Sequence, residues 1–446
     1  MKRLLVLAAV LLVGLMLAHC GKEEATTESK YETLGRAFVR QLAEGSYDSI
    51  TAGFDSNMAR ELPADKLEYI FGSLEAQFGA FKGQGGVRQS ETGGFQMVFV
   101  TMQFEKSMLD AKVVFDSTDR VAGLFFMPTP PDAAYTSADY VDMTAFEQIE
   151  VTFGDTFWTL QGTINIPKGD GPFPAVVLVH GSGPQDRDET IGANKPFRDI
   201  AETLAGRGVV VLTYDKRTLT HKSKFAVWEH YTVKDEVIDD ALRAAQLLQG
   251  TNKVDPHRIF VLGHSLGGML IPRIAARGPS LAGFIIMAGL TRPLEDVYLE
   301  QLEYIYNLDG DLSEQEVANL TESQAQVGIV KMLKPNTQVT KGDMLLGVVP
   351  DYWIDLKDYS PAEAAKAINQ PMLILQGERD YQVTMVDFEN WKEALGDRDD
   401  VTFKSYPALN HIFIAGEGPS TPDEYFRQGH VDLEVIEDIA AWIKAH

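Results

Sequence analysis

Three side chains far apart in the sequence, Ser265, Asp380 and His411, are of the types that together make an oxygen nucleophile. A serine hydroxyl attacks a carbonyl when a base takes its proton, and the base works when a carboxylate fixes its tautomer. Ser265 lies in Gly263-His-Ser-Leu-Gly267, directly after the apolar run Ile259-Phe-Val-Leu262. That pattern is a sharp strand-to-helix turn, with glycines where a Cβ would clash and a serine held in strained backbone. A helix beginning at Leu266 would turn its N-terminal amides and its positive end toward the serine. Met269–Ala276 is compatible with such a helix, Pro272 excepted.

The acid and the base follow in chain order. Pro371-Met-Leu-Ile-Leu-Gln376 reads as a short buried strand, and Gly377-Glu-Arg-Asp380 as the loop past its end. Val401–Tyr406 reads as the next strand, running into Pro407-Ala-Leu-Asn-His411. Loops at the carboxyl ends of parallel strands converge on one crevice, so the three residues would share an edge. Competing acids are Asp387, inside the following helix, and Asp397-Arg-Asp-Asp400, ahead of a strand. Competing bases are His430 and His446, neither of which follows a strand. An oxyanion would need two fixed donors, each worth about 3 kcal/mol. The Leu266 amide is one. The Ser182 amide is the other: Phe173–Val179 is a continuous apolar run ending in His180-Gly-Ser-Gly183, where His180 would shape the turn.

Together these motifs resemble the α/β-hydrolase superfamily over about residues 148–446. His180-Gly-Ser-Gly-Pro-Gln-Asp-Arg-Asp-Glu189, Asn194–Arg198 and Tyr214-Asp-Lys-Arg217 are similar to a bacterial branch of dienelactone-hydrolase-like and serine-aminopeptidase-like esterases. The resemblance implies an α/β fold with a mostly parallel sheet, a Ser265–His411–Asp380 triad and an acyl-enzyme. It implies cleavage of carboxylic esters of small or medium acyl groups. Thioester or aminoacyl-amide cleavage by the same triad is the alternative, and a catalytically silent envelope binding protein is a second.

The elements needed to position these residues can be read along the chain. Phe157–Ile166 alternates like an edge strand, Lys195–Gly206 reads as a helix, and Val209–Tyr214 as a buried strand. Thr232-Val-Lys-Asp235 resembles a capping box ahead of a helix. Leu281–Ala288 reads as a strand and Val431–Ala445 as a closing helix. Strands alternating with helices argue for a parallel sheet. Residues 289–370 exceed the dozen or so that a crossover needs. With helical periodicity in Tyr298–Tyr306 and Ser313–Met332, they read as a cap over the site. Tyr352 and Trp353 near its end suit packing at least as well as substrate contact.

The first 147 residues carry a different organisation. Lys2 and Arg3 precede Leu4–Ala18, an uncharged apolar run of 15 residues, too short for a membrane span and right for a signal segment. It ends at Leu17-Ala-His-Cys20-Gly21, which resembles a bacterial lipoprotein signal over residues 1–20, with His19 where a small residue is usual. The resemblance implies lipidation of Cys20 and membrane anchoring in a cell envelope. Cys20 is the single cysteine, so no disulfide forms within the chain. Residues 21–30 read as a polar tether and 31–128 as a separate α+β domain, helices first and then strands at Phe95–Phe104, Ala111–Phe115 and Val121–Met127. Its order resembles the cone-like nuclear-transport-factor-2 folds. Residues 129–147 read as the linker.

The net charge is −24, from 40 basic and 64 acidic residues, and loss of residues 1–19 would make it two units more negative. That balance disfavours nucleic acid and polyanionic partners. Phosphate-binding loops, dinucleotide fingerprints and metal-ligand spacings are missing from the sequence, so no cofactor is expected.

Overall fold

The computed structural model describes residues 29–92, 95–105, 108–129, 135–335, 337 and 344–446. The signal segment, Cys20 and the tether up to residue 28 lie outside the described residues. The chain divides into two compact units, Met1–Thr129 and Pro130–His446.

The first unit begins with helices α1 (Lys30–Ala43), α2 (Tyr47–Thr51), α3 (Ser56–Glu61) and α4 (Ala64–Phe78). Ser29 and Glu32 form a capping box at the start of α1. An antiparallel meander follows: β1 (Phe81–Thr92), β2 (Phe95–Phe104), β3 (Met108–Phe115) and β4 (Val121–Pro128). Phe38, Leu42 and Phe71 from the helices bury against Val98, Val100, Met102 and Val113 from the sheet. Strand β1 is absent from the sequence expectation. Gly83, Gly85 and Gly86 depress its strand propensity, yet β2 pairs along its length, with register shifts between Phe81 and Gly83 and between Gln84 and Val87.

The second unit is built on one sheet of eight strands. These are β5 (Phe146–Gly154), β6 (Thr159–Pro167), β7 (Phe173–Val179), β8 (Val210–Tyr214), β9 (Val254–His264), β10 (Gly283–Met287), β11 (Met372–Gly377) and β12 (Val401–Tyr406). Their order is β12-β11-β10-β9-β7-β8-β6-β5. Pairing is parallel from β12 to β8 and antiparallel for β6 and β5. Every residue of β10 and Pro174–Val179 of β7 are buried, as expected of strands covered on both faces.

Two expectations differ here. The strand read at Phe157–Ile166 is β6, and it is not the edge: β5 lies outside it. Residues 135–147, read as linker, belong to the second unit. The Tyr140 hydroxyl donates to Val431 O at 2.6 Å, Ser137 donates to Glu202 at 2.7 Å, and β5 starts at Phe146. Glu147 and Glu150 are exposed on β5, the charged character usual for an unpaired strand edge.

The helices of this unit are α5 (Pro196–Gly206), α6 (Arg217–Thr220), α7 (Lys222–Phe225), α8 (Asp239–Gln249) and α9 (Leu266–Arg277), then α10 (Leu294–Tyr306), α11 (Glu314–Met332), α12 (Pro350–Leu356), α13 (Pro361–Ala365), α14 (Met385–Leu395) and α15 (Leu433–Ala445). Ahead of α8 the Thr232 amide and hydroxyl both donate to Asp235 Oδ2 at 3.0 Å, without the return bond of a capping box, and the first turn, Lys234–Ile238, is a π turn that the sequence did not suggest. Helices α10 to α13 all lie in the excursion between β10 and β11. Tyr352 and Trp353 are buried on α12, with Trp353 Nε1 donating to Leu345 O at 2.8 Å, so both pack the cap.

Candidate active site

Strand β9 ends at His264, and α9 begins at Leu266, so Ser265 makes the whole turn between them. Its backbone sits at φ 54°, ψ −117°, a region that costs a non-glycine residue on the order of 1–3 kcal/mol. The Ser265 amide donates to Met287 O at 2.9 Å, which ties the turn to the end of β10. The glycines are required by close approach of backbone to backbone. A Cβ on Gly263 would stand 2.3 Å from Gly267 O, and one on Gly267 would stand 2.3 Å from Val179 O.

Asp380 and His411 occupy the loops after β11 and β12 and meet each other. His411 Nδ1 lies 2.7 Å from Asp380 Oδ2. Asp380 Oδ1 accepts the amides of Gln382 at 2.7 Å and Val383 at 3.0 Å, and Gln376 Nε2 donates to Oδ2 at 3.2 Å. This shell holds the carboxyl group as an acceptor, so Nδ1 of His411 is the donor and Nε2 is the basic nitrogen. Both side chains are buried. Four of the competing residues are engaged elsewhere. Asp387 is buried and accepts from Thr291 and Arg292, Asp400 pairs with Arg398, His430 meets Asp199, and His446 meets Trp442 O.

A layer of buried charge stands behind these residues, and sequence reasoning missed it. His264, the residue before Ser265, has acceptors at both ring nitrogens. Nε2 lies 2.9 Å from His411 O, and Nδ1 lies 3.0 Å from Glu189 Oε2, a contact held by charge more than by alignment. Burial alone would depress the His264 pKa, but the Glu189 carboxylate and the His411 carbonyl outweigh it and raise the pKa above 6.5. Burial works to raise the Glu189 pKa, and the His264 charge reverses that and lowers it below 4.5. Glu189 Oε1 also accepts the Gly181 amide at 2.7 Å. Gly181 in turn lies against Ser265: a Cβ built on it would be 3.2 Å from Ser265 Cβ and 3.7 Å from its Oγ.

The Gly181 amide is therefore taken, and the Ser182 amide is the next donor along the loop after β7. Ser182 is exposed, whereas Leu266, which opens α9, is buried. Lys216 Nζ donates to Gly181 O at 2.8 Å and pairs with Glu236 at 2.7 Å. His180 is buried with Nε2 2.9 Å from Asp186 O, and desolvation takes its pKa down to about 4, so it stays a neutral part of the turn. The signal for this layer was weak. Glu189 sits in the polar run Asp186-Arg-Asp-Glu189, which reads as a solvated loop, and His264 is a variable position of the elbow pattern.

Apolar side chains surround the two loops. Tyr381, Ile412 and Tyr425 cluster with Tyr304 and Ile305 of α10, and the Tyr304 and Tyr381 rings stack with centroids 4.9 Å apart. Among the described residues, no group of three or more His, Cys, Asp or Glu is placed to hold a metal ion.

Comparison with known proteins places the chain among hydrolases. The chain is 40% identical to esterase EstD of Thermotoga maritima over 406 residues, which span 91% of this chain and 93% of that protein. It is 25% identical to a monoacylglycerol lipase of Mycolicibacterium smegmatis over 62% of this chain and 89% of that one. A model of the prolyl oligopeptidase family matches residues 196–319, and one of a protein family of unknown function, DUF3887, matches residues 36–124. Among solved structures, an esterase of Pyrococcus furiosus aligns with 71% of this chain and 97% of its own, at 15% identity and a TM-score of 0.45. The chain belongs to the α/β-hydrolase superfamily, in the family of serine ester hydrolases that includes esterase EstD.

Proposed function

We propose that the protein hydrolyses carboxylic esters of small or medium acyl groups through Ser265, His411 and Asp380. The observation that carries this reading is the His411 Nδ1–Asp380 Oδ2 contact of 2.7 Å, on loops tied through His264 to the strained Ser265 turn. His411 Nε2 takes the Ser265 proton as Oγ attacks the carbonyl carbon. The Ser182 and Leu266 amides receive the negative oxygen. The proton passes to the leaving alcohol, and water, activated by the same nitrogen, releases the acid. The aromatic cluster around Tyr304 and Tyr381 forms a wall of the acyl or alcohol pocket.

A second reading changes the leaving group to a peptide amine, and the prolyl oligopeptidase match over residues 196–319 favours it. Both are tested by a panel of aryl ester, thioester and aminoacyl-amide substrates with equal acyl groups. Ester turnover well above the others supports the main reading, and dominant amide turnover supports the second. Loss of fluorophosphonate labelling and of turnover in Ser265→Ala is expected. A variant that keeps more than a few per cent of kcat refutes the nucleophile.

The leader and Cys20 support an exported, lipid-anchored protein. Cys20→Ser should move the protein out of the membrane fraction and abolish uptake of a fatty-acid label. Wild-type protein that takes up no label refutes the anchor.

A further inference from the structure

Lys216 is 2% exposed, which is rare for a lysine unless its ammonium is paired. Here Nζ is held twice, by Glu236 Oε1 at 2.7 Å and by Gly181 O at 2.8 Å. Gly181 O and the Ser182 N–H belong to one peptide unit, and across a trans peptide they point in opposite directions. An ammonium fixed on the carbonyl therefore fixes the direction of the amide. It also draws electron density toward the oxygen and makes the N–H a stronger donor. Glu189 grips the same glycine through its own N–H, so Gly181 is held at both its polar groups.

The pairing extends to the cap. Glu236 lies on the π turn ahead of α8, and its charge acts on the buried Tyr352 hydroxyl of α12, helping burial to raise the pKa of that phenol. Glu236 and Tyr352 are both buried. A buried ion pair is weak evidence for stability, since an apolar pair of the same volume is often as stabilising. Its place on the oxyanion peptide gives it another role.

We propose that Lys216 is a positioning residue for the oxyanion hole. It aims and polarises the Ser182 amide through the Gly181 carbonyl, and Glu236 links it to Tyr352 of the cap. The proposal rests on the reading of Ser265 as nucleophile and Ser182 as donor. The developing oxyanion feels the amide more than the ground-state carbonyl does, so the effect falls on kcat and not on KM.

The test uses the full chain, an aryl ester and the matching thionoester, whose C=S sulfur is a poor acceptor for an amide donor. Lys216→Met with Glu236→Gln removes both charges together and leaves no orphaned carboxylate. The expected result is wild-type circular dichroism, kcat on the ester lower by about 10–100-fold, and KM within about threefold. The thionoester should lose less, so the ester-to-thionoester rate ratio should fall by at least about threefold. Tyr352→Phe should shift the ratio in the same direction by a smaller amount. A folded double variant with an unchanged ratio overturns the proposal. If the double variant does not fold, an unchanged ratio in Tyr352→Phe overturns it. Failure of the underlying reading shows separately, as turnover that survives Ser265→Ala in the same assay.

Discussion

Replacing Glu189 by glutamine tests whether the charge behind Ser265 stabilises the protein, and the expected effect depends on pH. The glutamine oxygen can still accept the Gly181 amide, and its NH2 can donate to Nδ1 of a neutral His264, whose Nε2–H still serves His411 O. What is lost is the ion pair. His264 is raised in the folded state, so its share of the stability is full below 6.5 and fades as pH climbs through its folded value. Glu189 is lowered, so its share is full above 4.5 and fades as pH falls through its folded value. The pair thus contributes fully between about 4.5 and 6.5. Breaking a buried pair costs about 3–5 kcal/mol when a charge is left stranded. His264 can shed its proton, so roughly 1–3 kcal/mol is expected, or about 2–6 °C in Tm for a unit of this size. Thermal melts of both proteins at pH 5.5 and pH 9 provide the assay. The wild-type advantage should be largest at pH 5.5 and shrink at pH 9. An advantage that is constant, or larger at pH 9, refutes the ion-pair argument.

Two further outcomes follow from the same geometry. Asp380→Asn should present an NH2 to His411 Nδ1, hold the wrong tautomer and lower kcat by about 10⁴-fold with little change in KM, as steady-state kinetics would show. A truncated chain starting at Tyr135 should fold alone and hydrolyse a short aryl ester near the full-length rate. One starting at Phe146 loses the Tyr135–Asp199, Ser137–Glu202 and Tyr140–Val431 bonds and should be less stable by about 3 kcal/mol in urea titration.

The parts of the site legible in the sequence are those with local signatures. The Gly263–Gly267 turn follows from backbone crossing backbone, and Asp380 and His411 follow from their places after strands β11 and β12. The strands that were misread lack such signatures: β1 is glycine-rich and β5 is charged, and each becomes a strand through its partner. The Glu189–His264 and Lys216–Glu236 pairs join residues 75 and 20 positions apart. Nothing local distinguishes a glutamate destined for burial from one in a solvated loop. That distinction appears only when the sheet brings its partner alongside.

The cap bears on how such an enzyme can change. It fills a single crossover, from Met287 at the end of β10 to Met372 at the start of β11. Closing that loop costs entropy that grows only with the logarithm of its length, so about 80 residues in place of about a dozen add only about 1.7 kcal/mol. Segments of very different length can therefore be exchanged at this point without disturbing the sheet register that gathers Ser265, Asp380 and His411. On the proposed mechanism, new acyl or alcohol preferences can arise in the crossover while the reacting groups stay where the strands put them. In this protein the stack of Tyr304 on Tyr381 sets the limit on such exchange, because a replacement segment must still pack against the loop that carries Asp380.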